Sequence, residues 1–261
     1  MLDKVVVITG ASSGIGAALA GRVSNVGGRC VLTARREAQL AEVAAACGAG
    51  ALAVPADVTR REDVQRVFDA ALARYGRIDV WVNNAGRGIT RPVSDLTDAD
   101  FDEMMLVNVK SALYGMQTVL PHFKQRGDGH IINVSSMLSR IPFASFRSAY
   151  NAAKHALNGL TASLRMELWA EFPRIHVTTI LPGVVATDFG VSALGGGPDS
   201  RALPWAQPVD EVADVILGVI REPRADVYTR PGFKDNVVAY FAADDMAAYE
   251  TRLPGTPPAP K

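Results

Sequence analysis

The sequence predicts a single α/β domain, a parallel sheet wound on both faces by helices. Three observations carry that expectation. Short β-branched runs alternate with helical patterns along the chain, a glycine-rich turn joins the first strand to the first helix, and no proline- or serine-rich linker or solenoid-length repeat breaks the series. Strands alternating with helices form right-handed β-α-β units, whose parallel strands are covered on both sides. With 261 residues, 48% of them hydrophobic, the chain can bury a large core.

Taken in order, KVVVIT precedes the helical AALAGRVSNVG, RCVLTA precedes REAQLAEVAAACG, and ALAVPADV precedes REDVQRVFDAALARYG. IDVWVNNAG then leads into one long helical run, DFDEMMLVNVKSALYGMQTVLPHF, and HIINVSS leads into a helix expected over residues 150–164. HVTTILPG, a helix around VDEVADVILGVI, and ADVYTR complete the alternation, so the domain is placed at residues 1–250. Residues 188–207 form a long connection containing three successive glycines, a length more often functional than idle. The proline-rich tail at 251–261 is expected to be disordered.

Formal net charge is zero and no basic block stands out, which argues against nucleic acid or an anionic membrane as partner. The apolar VVVITGASSGIGAALAG resembles the core of a signal peptide, but meaningfully spaced glycines break it and it is read as structure. No run approaches the roughly 18 uninterrupted apolar residues of a membrane span. Cys30 and Cys47 have neither metal-ligand spacing nor the density of a disulfide scaffold, so no metal site is expected and a reducing cytoplasm fits.

The first strand ends in TGASSGIG, which places Gly10, Gly14 and Gly16 between a strand and a helix. Glycines there allow a tight turn and let the backbone approach a pyrophosphate, whose charge meets the free N–H groups of the helix N-terminus. Farther on, Tyr150 and Lys154 stand four residues apart on a helix, so the phenol and the ammonium share one face.

TGASSGIG, Asp57 after the third strand, NNAG at 83–86, Asn108, Ser135 with Ser136, YNAAK at 150–154 and PGVVAT at 182–187 together resemble the short-chain dehydrogenase/reductase family, in the family's order and at nearly its usual spacings over residues 3–230. The resemblance implies a Rossmann-like fold and a nicotinamide cofactor held by Gly10, Ser12, Ser13, Gly14, Ile15 and Gly16 at the pyrophosphate. It implies that Asp57 and Val58 lie beside the adenine, that Asn83, Asn84, Ala85 and Gly86 brace the sheet and flank the cofactor, and that Pro182, Gly183, Val185 and Thr187 hold the nicotinamide end.

The reaction so implied is hydride transfer between a nicotinamide and a carbonyl carbon, with Tyr150 giving or taking the proton at the oxygen. A free tyrosine has a pKa near 10, and a fixed ammonium is expected to move it toward working pH. By resemblance Lys154 also bonds the nicotinamide ribose, so Tyr150 and Lys154 belong to the cofactor set as well. Alternation along a strand keeps Ser135 and Ser136 from facing the site together while HIINVSS stays extended. The family pattern selects Ser136 to hold the carbonyl oxygen, at one residue more than the usual spacing from Tyr150, with Ser139 as its rival. Asn108 is implied to anchor a water in a proton relay from Lys154; a helix kink satisfied by a polar side chain is the other reading. His155 is read as structural.

An acidic residue at the end of the second strand would accept bonds from the 2′-hydroxyl of NAD, but Ala34 stands there, followed by Arg35 and Arg36. Arginines match a 2′-phosphate, so NADP(H) is favoured over NAD(H), although Ser13 occupies a position where NADP-using relatives often place a basic residue. Phe143, Phe146, Phe189, Leu194, Leu203 and Trp205 are candidates to line an apolar substrate pocket, with Gly195, Gly196 and Gly197 as hinges of a lid. A homodimer or homotetramer is implied, joined through the helices of Asn108 and Tyr150. The competing readings are an NAD-dependent alcohol dehydrogenase, a non-catalytic dinucleotide sensor, and an epimerase or dehydratase of the longer-chain relatives.

Overall fold

The computed structural model describes residues 1–251, so the proline-rich tail falls outside the described residues from 252 onward. Seven parallel strands form one sheet in the order β3-β2-β1-β4-β5-β6-β7. They are β1 (Val5–Thr9), β2 (Arg29–Thr33), β3 (Ala51–Ala53), β4 (Val80–Asn83), β5 (Gly129–Val134), β6 (Ile175–Leu181) and β7 (Asp226–Tyr228). The strand order reverses between β1 and β4, which opens a crevice beyond their carboxyl ends.

Side-chain alternation sends each strand into two cores. Val6 and Ile8 of β1, Leu32 of β2 and Val82 of β4 pack on one face against α1 (Gly14–Asn25), α2 (Glu37–Cys47) and α7 (Val209–Arg221). Val5, Val7, Val31 and Trp81 pack on the other against α3 (Arg61–Tyr75), α5 (Ser111–Arg126) and α6 (Ser148–Leu168). Two short helices not expected from the sequence, α8 (Phe233–Phe241) and α9 (Met246–Glu250), close the described chain and cover Met137, Ile141 and Leu181.

The long run expected after β4 is divided. α4 (Asp98–Met105), started by a capping box of Thr97 and Asp100, passes through a π-helical turn over Leu106–Lys110 into α5. Asn108 sits in that turn and sends its amide Nδ2 to the carbonyls of Met104 (3.1 Å) and Arg87 (2.9 Å). A side chain competing for helix carbonyls is a physical cause of such a bulge.

A buried polar ladder ties the central strands to the helices. Trp81 Nε1 donates to Asn83 Oδ1 (2.8 Å), Asn83 Nδ2 donates to Asn133 Oδ1 (2.8 Å), and Asn133 Nδ2 donates to Thr161 Oγ1 on α6 (2.8 Å). Gly115 lets α5 reach the same ladder, because a Cβ there would lie 2.3 Å from Asn83 Oδ1. Every one of these polar groups finds a partner, as burial demands. No helix among the described residues is long and apolar enough to cross a membrane.

Candidate active site

A cavity of about 510 Å³ opens at the crevice and runs from Ala34, Arg35 and Arg36 at one end, past the glycine turn, to Ser136, Tyr150 and Lys154 at the other. Ser12, Ser13, Gly14, Ile15, Asp57, Val58, Asn84, Ala85, Gly86, Pro182, Gly183, Val185 and Thr187 all line it. Gly16, Asn83 and Asn108, expected in the site, are absent from its wall.

The glycine turn is shaped by contact as well as by φ. Gly10 has φ +66°, and a Cβ on it would sit 2.9 Å from Ala85 Cα; one on Gly16 would sit 2.5 Å from Gly10 O. Gly16 therefore supports the turn from beneath. Thr9 Oγ1 accepts from the backbone N–H groups of Asn84 (2.9 Å) and Ala85 (3.0 Å), while Asn84 Nδ2 donates to Thr9 O (2.9 Å), so two strand ends are clamped together. Ser13 at the N-cap makes no side-chain bond to the first turn of α1. Its hydroxyl instead accepts from Arg36 Nη2 at 2.5 Å, and Ser12 accepts from the same guanidinium at 3.1 Å. A helix N-terminus without an acidic cap, beside a guanidinium, suits a phosphorylated ligand.

At the end near Ala34 and Arg35, Asp57 lines the cavity while its Oδ1 accepts from Thr59 N (3.0 Å) and Thr59 Oγ1 (2.7 Å). The carboxylate orders the turn ahead of α3. At the other end Gly183 N donates to Gln207 Oε1 (3.1 Å), a buried amide that also accepts from Thr229 Oγ1 (2.7 Å). Gln207 was not singled out in the sequence, where a lone glutamine leaving a long loop carries no signal.

Tyr150 and Lys154 are 7% and 3% exposed on α6, which begins two residues earlier and runs four residues farther than expected. Lys154 Nζ donates to Val134 O (2.9 Å) and lies 5.6 Å from the centroid of the Tyr150 ring. Burial pushes the ammonium down to about 8 and the phenol up to about 12; the nearby Ser136 hydroxyl and the charge of Arg147 work against the latter. Burial, the largest influence on the phenol, acts in the direction opposite to the lowering expected from Lys154.

β5 ends at Val134, so strand alternation no longer governs the two serines, and both Ser135 and Ser136 reach the cavity. Ser136 is the one beside the phenol, whereas Ser135 Oγ faces the carbonyl of Lys154 (3.5 Å). Ser139 is buried, bonded to Ser136 O and to Asn158 Nδ2 (2.7 Å), and does not line the cavity. Asn108 binds both backbone groups of Arg87, with Arg87 N donating to its Oδ1 (3.2 Å). It lies behind Gly86, whose Cβ, if present, would be 2.9 Å from Asn108 Oδ1 and 3.6 Å from Lys154 Nζ. His155 Nδ1 faces the carbonyl of Asn151 (2.8 Å), away from the cavity.

Of the apolar candidates, Phe143, Phe146, Phe189 and Leu203 line the cavity, and the Phe189 ring meets Tyr150 edge-on at 5.4 Å. Leu194 instead pairs its backbone with Gly88 and Thr90, and Trp205 is exposed. The 188–207 connection is therefore fastened to the 88–90 segment at its glycines. Arg147 also lines the cavity and was missed, although it stands one turn before Tyr150, a spacing that shares a helix face.

Comparison with known proteins places this geometry. The family model for short chain dehydrogenase matches residues 4–194. YxnA, an uncharacterized oxidoreductase of Bacillus subtilis (strain 168), is 36% identical over 233 residues, 87% of this chain, which spans only 65% of that relative. A short-chain dehydrogenase/reductase from Burkholderia phymatum, solved in complex with NAD, superimposes with a TM-score of 0.85 at 25% identity over 99% of this chain and 98% of its own. A short-chain dehydrogenase from Sphingobium yanoikuyae in complex with NADPH gives 0.79 at 29% identity, over 95% and 96% of the two chains. Glycine turn, clamped asparagine segment and Tyr-Lys helix occupy one cavity on a fold shared with nicotinamide-binding structures, and the chain belongs to the short chain dehydrogenase family of oxidoreductases.

Proposed function

We propose that the protein is an NADP(H)-dependent oxidoreductase that interconverts a carbonyl compound and a secondary alcohol, with Tyr150 as the acid/base. The observation that carries this reading is the convergence of the buried Tyr150 phenol, Ser136 and the buried Lys154 ammonium at the inner end of the cavity. A reduced nicotinamide bound there supplies a hydride to a carbonyl carbon. Ser136 would hold the carbonyl oxygen by a hydrogen bond, and Tyr150 would hand its proton to that oxygen as negative charge develops. Lys154, fixed by Val134 O, keeps positive charge near the phenolate that forms. Asn108 serves by fixing the backbone at Gly86 and Arg87, from which a relay toward Lys154 would start.

The preference for the phosphorylated cofactor rests on Arg36. Its guanidinium lies on Ser12 and Ser13, so it supplies positive charge at the position where the sequence itself lacks a basic residue, and Ala34 leaves no carboxylate at the end of β2 to bind a ribose hydroxyl. The NAD-bound relative supports the alternative, an NAD-dependent alcohol dehydrogenase. Unpaired Cys30 and Cys47 suit a reducing cytoplasm.

The same reading includes pairing of subunits through α5 and α6. A groove between these helices is lined by Leu113, Leu120, Leu160 and Leu164, and Met166 and Trp169 are 78% and 80% exposed on α6. Gly159 opens to solvent, whereas Leu157 faces inward and belongs to the core.

Four outcomes test this function. Tyr150→Phe should keep the fold and cofactor binding but lower turnover by roughly 10²- to 10⁴-fold, read by steady-state kinetics with NADPH and a ketone panel. Near-normal turnover would refute the proton assignment.

Ala34→Asp with Arg36→Ala should weaken NADP binding by at least roughly tenfold and leave NAD binding equal or better, because charge-assisted bonds contribute about 1.5–3 kcal/mol. Calorimetry with each cofactor decides it, and a wild type that already prefers NAD would favour the alternative.

Lys154→Met should abolish turnover and yet raise the melting temperature of the cofactor-free protein near neutral pH. The folded value of about 8 lies below the ordinary 10.5, so the unfolded chain binds more protons between them and stability rises with pH across that window. Below it the buried ammonium costs roughly 3 kcal/mol, and the methionine's advantage should vanish near the upper limit. Equal destabilisation at both pH values would show that the ammonium is not strained.

Light scattering at micromolar concentration should give at least twice the subunit mass. A mass of one subunit would remove the pairing.

A further inference from the structure

Three arginines in or near the cavity have carboxylates beside them. Arg87 pairs with Glu103, Arg91 Nε lies 3.1 Å from Asp100, and Arg36 Nη1 lies 3.8 Å from Asp188. Arg147 has no carboxylate partner among the described residues, although it is only 8% exposed and lines the cavity. Its Nη1 donates to Ile89 O at 3.1 Å. That bond uses one of five donors. Nη2 and Nε carry no hydrogen bond from the described residues and are not sealed within protein.

An unpaired buried charge is costly and is ordinarily neutralised by a partner. Here close glycines admit the guanidinium. A Cβ on Gly88 would lie 3.0 Å from Nη1 and one on Gly197 would lie 3.2 Å from Nη2, so both neighbouring segments make room for it. Gly88 also abuts the Phe189 ring, which itself packs on Tyr150. The cation, the aromatic wall and the phenol are thus contiguous. Phe143, Phe146 and Leu203 add apolar wall, while Ser192, Ser200 and Asp188, the last 3.8 Å from Arg36, line the cavity as well.

We infer that Arg147 is a specificity-determining residue that receives a carboxylate of the substrate, so that the enzyme acts on oxo acids with an apolar body rather than on neutral ketones. The inference rests on the proposed carbonyl-alcohol chemistry of the same cavity. A planar guanidinium offers paired donors that match a carboxylate. The apolar side chains would take the rest of the molecule, and Tyr150 with Ser136 would meet the keto oxygen.

The test compares benzoylformate and 3-benzoylpropanoate with their methyl esters, using NADPH and NADH in turn. At least one acid should exceed its ester in kcat/KM by roughly tenfold or more, the worth of a charge-assisted hydrogen bond. Arg147→Gln should lower that acid-to-ester ratio by a similar factor, and Arg147→Lys should restore part of it. Melting curves establish that each variant is folded. In addition, benzoate should bind the wild-type protein with cofactor present, by calorimetry, and bind Arg147→Gln at least tenfold more weakly. Preference for the esters in the wild type overturns the inference even if no variant folds. An equal loss for acids and esters in Arg147→Gln also overturns it, because the residue would then position Tyr150 or the loop alone. If none of the carbonyl compounds is reduced while benzoate binding still depends on Arg147, the anion site stands and the proposed reaction fails. Reduction of esters and acids alike, with no benzoate binding, gives the reverse.

Discussion

The hydrogen bond from Lys154 Nζ to Val134 O, 2.9 Å long, joins helix α6 to the carboxyl end of strand β5, and the inner cavity takes its shape from that junction. Tyr150 stands one turn before the lysine on the same face, so fixing the ammonium fixes the phenol. Ser136 follows the strand end by two residues and therefore meets the phenol from the sheet side. The junction depends in turn on the ladder of Asn83, Asn133 and Thr161, which sets the height of α6 over the sheet through fully paired polar groups. A shift of α6 along the sheet would break all of these contacts together.

Such an arrangement trades stability for chemistry. An ammonium at 3% exposure with a single carbonyl acceptor, and a guanidinium at 8% with another, are charges that a protein selected for stability alone would not bury. Both line the same cavity, and the ion pairs near it belong to other arginines. The glycine turn follows the same logic: at Gly10 a side chain would strike Ala85, so the backbone itself becomes the wall against which a pyrophosphate fits. Close backbone approach and unpaired charge are concentrated where a ligand would bind.

Much of the fold was legible because its signals are local. Short β-branched runs in VVVIT and VWVN, helical spacing in REDVQRVFDAALARY, and the glycines after the first strand each specify conformation within a few residues. The break within residues 98–126 was legible only as one of two readings of Asn108. Its residues have continuous helical character, and at the π turn Asn108 bonds both to Met104 within the helix and to Arg87, a backbone group 21 residues away. The end of β5 was misjudged for a related reason. HIINVSS reads as one extended run, yet pairing with β6 ends at Val134. Ser135 N then bonds to Ile180 O and Met137 N to Pro182 O, which turns the chain into the site.

By itself the sequence determined the α/β alternation, the pyrophosphate turn, and the shared helix face of Tyr150 and Lys154, since each follows from residues at most a few positions apart. Tertiary structure decided that both Ser135 and Ser136 reach the cavity, that the Tyr150 phenol and the Lys154 ammonium are buried, and that Arg36 reaches back to Ser12 and Ser13. It also decided that Arg147 lies between Gly88 and Gly197 without a carboxylate partner. Desolvation and charge pairing depend on everything that surrounds a group in space, and those neighbours come from segments that the chain order keeps far apart.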